Sequence, residues 1–355
     1  MTLSHRGWWL FLTPVAIWST TFYAILHQLD SPTTPAWAVA LRFALAAGGL
    51  ALWCLLKGIP LSIPPARHPL VLLSGALAYS VSYVLTYLAE QDIPSGLVAI
   101  CFTLMVFFTP VLARVFLGER THARVWAGGV LGVAGVALCF LPSLLASEPP
   151  AGLGWGLGMM LIAAVASSGA AVGAVRLNRH GIAVTTYTTW AMAYGAVCTA
   201  LWAIASGQTL AFDPRPGFWF ALAYLAVLGT VVAFLCYLSL LREAGSGVAM
   251  YVSVLSPLGA VVVSILLEGL RPEAPTALGI LLALGGAWVT LRSPAASSRS
   301  APAHAVDKLH TAAPATDRIR VQGIAEQASG DGPNIGRVTS VRLESGSGDR
   351  VHREP

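Results

Sequence analysis

Apolar stretches of about 20 residues recur ten times along the chain, at 8–27, 36–56, 70–90, 94–117, 124–145, 153–175, 184–206, 216–240, 247–267 and 274–292. Each has the length that crosses a bilayer as an α-helix. Barrel strands would alternate in polarity and run about half as long. Short connections rich in Pro, Gly and polar residues separate the stretches, as in Asp30-Ser31-Pro32, Gln91-Asp92-Ile93-Pro94 and Asp213-Pro214-Arg215-Pro216-Gly217. The pattern predicts an all-α, polytopic membrane protein of ten transmembrane helices. The first stretch is too long for a secretory leader and no small-x-small cleavage site follows it, so it reads as the first helix. A bacterial inner (plasma) membrane is the expected destination.

Composition agrees with the pattern. The chain is 56% hydrophobic and only 10% charged, whereas soluble domains run near one quarter charged. Up to Arg292 there are 13 Lys/Arg and 9 Asp/Glu, a balance of +4; from Ser293 to Pro355 there are 8 and 7, a balance of +1. Apolar runs stop at Ser293, and Pro, Ala, Ser, Gly, Asp and Arg then mix without period. Such a segment buries too little surface to offset the entropy of ordering it. Residues 293–355 are therefore expected to be a disordered tail. The basic excess does not point to nucleic acid, because no basic stripe is present to grip phosphates. It fits the charge bias of cytoplasmic loops.

That bias sets the orientation. With the N-terminus in the cytoplasm, the cytoplasmic ends hold Arg6, Lys57, Arg67, Arg114, Arg120, Arg124, Arg176, Arg179, Arg242 and Arg292, and the outer loops hold only Arg215 and Arg271. Both termini are expected inside. The five cysteines (Cys54, Cys101, Cys139, Cys198, Cys236) all sit in apolar runs without C-x-x-C spacing, so buried thiols and no disulfides are expected.

The ten stretches align as two sets of five. Leu117-Gly118-Glu119-Arg120 near the end of the fourth matches Leu266-Leu267-Glu268-Gly269-Leu270-Arg271-Pro272 near the end of the ninth. Pro94-Ser95-Gly96 and Gly245-Ser246-Gly247 precede those stretches, and glycine-rich stretches follow both. Five is odd, so the second set must lie inverted in the membrane. Inverted repeats of this kind characterise secondary transporters, with the solute site between the halves. The expected units are 1–145, 146–292 and the tail.

At these residues the chain resembles the EamA-type transporters of the drug/metabolite transporter superfamily. The resemblance runs through Trp18-Ser19-Thr20-Thr21-Phe22, Arg42-Phe43, Ile93-Pro94-Ser95-Gly96-Leu97-Val98-Ala99, Leu117-Gly118-Glu119-Arg120 and the glycine run ending at Leu138. It continues in Tyr224-Leu225-Ala226-Val227-Leu228-Gly229-Thr230, Tyr237 and Glu268, and covers about residues 8–292. What it implies is export of small metabolites, amino acids or drugs without ATP hydrolysis.

Candidate site residues follow from polarity at depth. Arg42 lies seven residues into its stretch, about 10 Å along a helix. A charge there faces the bundle or a water-filled cavity; it reads either as a contact to a substrate carboxylate or outer gate, or as an Arg that snorkels and holds helices together. Tyr79, Tyr83 and Tyr87 fall on one helical face at i, i+4 and i+8, with Glu90 three residues on. Trp18, Tyr23, Tyr79, Tyr83, Trp190, Tyr237 and Tyr251 are the aromatic candidates for substrate contact, against a packing role. Tyr87 and Tyr187 read as members of the interfacial belt. Glu90, Glu119 and Glu268 sit at span ends as candidates for gating or loop order, the last two beside Arg120 and Arg271. Gly128, Gly132 and Gly135, and Gly152, Gly156 and Gly158, read as points of close helix approach.

No phosphate loop, H-E-x-x-H pair or G-x-S-x-G elbow occurs, so neither an enzyme nor a cofactor or metal site is expected. The expected partners are a small-molecule substrate and the lipid bilayer. A coupling ion (H+ or Na+), the direction of transport and the oligomeric state stay open. The competing readings are a membrane sensor or scaffold acting through its tail, and an intramembrane enzyme.

Overall fold

The computed structural model describes residues 4–119, 122–146, 151–244 and 246–292. Every regular element among them is helical. We number the rods α1 (His5–Leu29), α2 (Pro35–Leu56), α3 (Pro65–Ala89), α4 (Ser95–Leu117), α5 (Ala123–Leu145), α6 (Leu153–Arg179) and α7 (Val184–Ala205). Then come α8 (Pro216–Ala223, Tyr224–Val232 and Ala233–Ala244 in succession), α9 (Ser246–Leu267) and α10 (Ala274–Leu291). Nine of these among the described residues are long and apolar enough to cross a membrane; in the remaining rod, α9, the apolar stretch measured is the shorter Tyr251–Leu267. The expected tail, 293–355, and the expected loop partner Arg120 lie outside the described residues.

Local chemistry sets the ends. Pro35 and Pro216 open α2 and α8, where their missing N–H costs nothing and their fixed φ suits the first turn. α4 closes at Gly118, φ 68°, a left-handed stop that residues with a Cβ adopt at a cost.

The rods are apolar on all sides, so size sorts their faces. On α2, Leu45, Leu52 and Leu55 are more than half exposed, while Ala38, Ala46 and Phe43 are fully buried. Lipid solvates the large outward side chains, and helices associate by close packing of small ones. The most extensive packing is between α5 and α10. Gly128, Gly132, Gly135 and Cys139 form one stripe, and Gly279, Ala283, Gly286 and Thr290 form the other. A Cβ on Gly135 would meet the Ala283 nitrogen at 2.3 Å, and one on Gly286 the Gly128 oxygen at 2.5 Å. Thr276 donates to the Cys139 carbonyl at 3.0 Å. Of the other predicted glycine set, a Cβ on Gly152 would meet the Asp92 carboxylate and one on Gly156 the Ile93 side chain at 2.9 Å, whereas Gly158 faces open space.

This packing fixes the relative sense of the two halves. Gly128 meets Thr290 and Gly279 meets Cys139, so α5 and α10 run antiparallel. The same holds for α2 and α7, where Trp37 donates to the Gln208 carbonyl and Cys54 lies 4.0 Å from Thr189. It holds again for α4 and α9, where Gly96 at the start of one crosses Val261 and Ser264 near the end of the other. Three pairs of rods five places apart thus pack head to tail. The remaining contacts exchange in the same way: α1 packs on α8 and α9, and α6 on α3 and α4. The inversion inferred from an odd number of spans appears directly as antiparallel pairing.

The equivalent rods α3 and α8 share a further feature. Each is interrupted by a π-helical stretch, Ala76–Val81 in α3 and Tyr224–Val232 in α8. Thr230 supports the second by donating to the Leu225 carbonyl five residues back, at 2.8 Å. Stretches of this kind are frequent at functional sites.

In the connection between α7 and α8, Asp213 accepts from the Arg215 side chain at 2.7 and 3.0 Å and from its backbone N–H at 2.8 Å. The side-chain hydrogen bonds, followed by the backbone bond, hold the Asp213 carboxyl well below the usual carboxylate range. Arg215 also donates to the Asp30 carbonyl, tying this loop to the turn between α1 and α2.

Candidate functional site

The site is built around Arg42. Its rod packs against α7, and its guanidinium faces α8 where the π-helical stretch brings Gly229 forward: a Cβ there would lie 3.9 Å from Arg42 Nη2 and 2.9 Å from Thr21. The tight approach is to Thr21, and the guanidinium stands at ordinary contact distance. Trp18 donates its indole N–H to the Gly229 carbonyl at 3.1 Å, and its ring lies 5.6 Å from that of Tyr237. On the other side the Arg42 cation lies over Tyr83 at 4.8 Å and Phe43 at 5.3 Å. Phe43 in turn contacts Tyr79 and Tyr83, at 5.0 and 4.6 Å between ring centroids. An Arg held over aromatic faces keeps its charge partly compensated without a carboxylate.

Arg42 is 2% exposed, and its Nε and Nη1 have no hydrogen-bond partner in the protein. It does not snorkel. Glu90, 4% exposed, has neither carboxylate oxygen bonded, and Gln28, 1% exposed, has a free Nε2. Tyr87 joins Gln28 to this face of α3: its hydroxyl donates to Gln28 Oε1 at 2.8 Å, and Glu90 follows three residues on. Buried polar groups are bonded in the great majority of cases, so several unsatisfied groups in one place mark a site with spare recognition capacity.

The expected site residues thus divide. Arg42, Tyr79 and Tyr83 stand together around Phe43, Trp18 with Tyr237 joins them through Gly229, and Glu90 lies further along α3 with no bonded partner. Tyr23 packs edge-on against His27, and Tyr251 against Trp288. Trp190 belongs to another cluster, with His68 at 5.3 Å and Tyr194 at 5.8 Å, and donates to the Leu61 carbonyl. It lines an apolar groove of about 460 Å³ between α2 and α7.

Two expectations need correction, the interfacial reading of two tyrosines and the local partner of Glu268, while the expected contact of Glu119 with Arg120 lies outside the described residues. Tyr87 and Tyr187, read as interfacial, are buried, at 0% and 6% exposure, because neighbouring rods cover the ends of α3 and α7 on which they sit. Glu119 pairs with Arg179 at the end of α6. Glu268 accepts from the Ser95 N–H at 3.0 Å and from the Ser95 hydroxyl, capping the start of α4 across the antiparallel α4–α9 contact. Sequence neighbours suggested local partners, and the packing supplied distant ones. Gln28 escaped sequence reasoning, and Gly229 was named only within the Tyr224–Thr230 run that carries the resemblance. The one signal for Gln28 was an amide just past the first apolar stretch; the place of Gly229 beside Trp18 depends on α8 leaving the regular helix.

The family model described as "EamA-like transporter family" matches this chain twice, over residues 5–141 and 154–292. The inner membrane transporter YedA of Escherichia coli strain K12 is 30% identical over 256 residues, 71% of this chain and 80% of YedA. A protein of Streptantibioticus cattleyicolor named "Probable terminal-alkyne amino-acid exporter" is 33% identical over 141 residues, 39% of this chain and 46% of that one. One solved crystal structure superposes with a TM-score of 0.58 at 20% identity, over 80% of this chain and 95% of the other. At that identity the likeness speaks to the fold alone.

Proposed function

Because the chain belongs to the EamA-like transporter family, we propose that it is a secondary transporter exporting small organic solutes across the inner membrane by alternating access. Membrane transport itself follows from the family and its relatives. The proposal adds the solute class (amino acids, metabolites or drugs), the direction and the mechanism. Two halves, 1–145 and 146–292, rock against each other about the Arg42 site, with both termini in the cytoplasm. The observation that carries this reading is the antiparallel pairing of equivalent rods around a buried, unsatisfied charged group. Antiparallel halves can exchange conformations across a two-fold axis in the membrane plane, which is the geometric requirement for opening to each side in turn.

Within this reading Arg42, Tyr79, Tyr83, Trp18 and Tyr237 form the solute-facing group, and Tyr23, Tyr251 and Trp190 lie further out along the path. The YedA name supports the inner membrane, and the exporter name supports outward movement of an amino-acid-like solute. Glu119 and Glu268 order the ends of the rods through Arg179 and Ser95, and Glu90, with neither oxygen bonded, is the candidate gate. Reconstituted protein in vesicles loaded with amino acids or cationic dyes, under imposed H+ or Na+ gradients, should release at least one solute class faster than empty vesicles. Release equal to that from empty vesicles across the whole panel would reject the proposal. A reporter active only outside the cytoplasm, fused after Arg292, should be silent.

A further inference from the structure

We infer that the groove between α2 and α7 holds one acyl chain of an anionic phospholipid, with Arg67 and His68 at its end taking the phosphate. The site is separate from the Arg42 group and does not depend on which solute the protein carries.

The groove is a gap in the lipid-facing surface. Ala47 and Ala196, both buried, form its floor, and Ala44, Gly48, Ala51 and Ala193 its walls. Elsewhere the same rods turn Leu45, Leu52 and Leu201 outward, each more than half exposed. The small side chains leave about 460 Å³ unfilled, and a Cβ on Gly48 would meet no atom within 4 Å. Around a membrane-spanning bundle the molecules at hand to fill such a gap are lipids. Ala44 to Ala51 is a run of about 10 Å along a helix. That length fits within the ~15 Å that one leaflet contributes to the hydrocarbon core.

One end of the groove is polar and basic. There the connection between α2 and α3 crosses α7: Trp190 donates its indole N–H to the Leu61 carbonyl at 2.7 Å, and Thr186 donates to the Pro60 carbonyl at 2.8 Å. Leu61 and Trp190 both line the groove. The His68 ring stands edge-on to Trp190 at 5.3 Å, and its Nδ1 lies 2.7 Å from the Tyr194 hydroxyl. A Tyr194 hydroxyl donating to Nδ1 leaves the imidazole proton on Nε2, as a donor. Arg67, beside it in the chain, gives one N–H to His180 Nδ1 at 3.2 Å. Among the described residues no carboxylate lies within 4 Å of Arg67. Its remaining donors suit a phosphate, and both residues sit at the start of α3, the positive end of its helix dipole. A basic rim beside an apolar groove is complementary to a lipid with a negative headgroup. With the N-terminus inside, as proposed above, this end meets the cytoplasmic leaflet. Lys57 does not share the rim: it stands over Trp53 at 5.1 Å, and Trp53 lies about half a turn round α2 from Ala51.

The test uses the purified, delipidated full chain in detergent. The probes are phosphatidylglycerol and phosphatidylcholine with identical oleoyl chains, and glycerophosphoglycerol, the first headgroup without chains. Binding is read as the concentration dependence of thermal stabilisation, and retained lipid is counted by native mass spectrometry. Phosphatidylglycerol should bind about five-fold or more tighter than phosphatidylcholine, the worth of about one cationic contact. Arg67→Gln should remove that preference and leave phosphatidylcholine binding unchanged, while Lys57→Gln should keep it. Gly48→Leu fills the groove with a better helix former and should weaken both lipids alike by about ten-fold or more, the loss of about two buried methylenes. Ala44→Leu is a second filler with the same expected direction, and monodisperse elution checks the fold of each variant. Glycerophosphoglycerol should give no stabilisation where the intact lipid saturates. Equal affinity for the two lipids overturns the site. Equal loss of preference in Lys57→Gln and Arg67→Gln does so as well, since it marks diffuse surface charge. Stabilisation by the headgroup alone replaces the lipid with a free phosphate ester, and unchanged lipid binding in both groove fillers removes the groove; either result refutes the inference.

Discussion

Replacing Gly135 by alanine puts a methyl carbon 2.3 Å from the Ala283 nitrogen and 2.7 Å from the Gly279 oxygen. Ordinary contact begins near 3.4 Å, so the new atom is about 1.1 Å too close. Both obstructing atoms are backbone and cannot rotate aside. The axes of α5 and α10 must separate by about 1 Å, and a gap of that size forfeits roughly a quarter to a half of each dispersion contact along the seam. Overpacking of this kind costs about 1–3 kcal/mol. Alanine also favours helix over glycine by about 1 kcal/mol, which offsets part of the loss. Gly285→Ala on the partner rod α10 isolates that offset, because Gly285 has nothing within 4 Å of its Cβ position. The two variants should differ by about 1–3 kcal/mol, with Gly135→Ala the less stable. Reversible unfolding in mixed micelles, with wild type as reference, measures the difference. Equal stability, or greater stability for Gly135→Ala, would refute the claim that this seam is closed by backbone contact.

Glu268→Ala removes the acceptor at the start of α4, where the helix dipole favours negative charge, and should cost about 1–2 kcal/mol in the same unfolding measurement. Glu119→Gln breaks a pair with a half-exposed Arg179 and should move stability by less than about 0.5 kcal/mol, because exposed pairs contribute little. The depressed Asp213 carboxyl contributes stability that is complete above the ordinary aspartate range and is lost as pH falls below it toward the folded value. Asp213→Asn should therefore melt below wild type at neutral pH and at pH about 5, with the gap narrowing only below about pH 4. Removal of residues 293–355 should leave solute release from vesicles unchanged; loss of release would favour a role exercised through the tail.

The linear order of residues determined the membrane class, because bilayer thickness imposes a length that can be counted along one chain. It also determined the doubling and its inversion, since a five-fold set of crossings forces the second copy upside down. Arg42 was legible as a candidate, and its burial as an expensive charge, for a similar reason: a charge inside an apolar stretch is costly wherever that stretch packs. Which groups surround it was not legible. The stripes of α5 and α10 announce that small residues will meet something, but glycine carries no label for its partner. Gly229 became part of the site through a local departure from α-helical winding, and Tyr87 became core because neighbouring rods cover it. In water, burial follows polarity and a sequence can be read for it. In lipid both faces of a rod are apolar, so burial is decided by shape between rods, and shape exists only once the rods have packed.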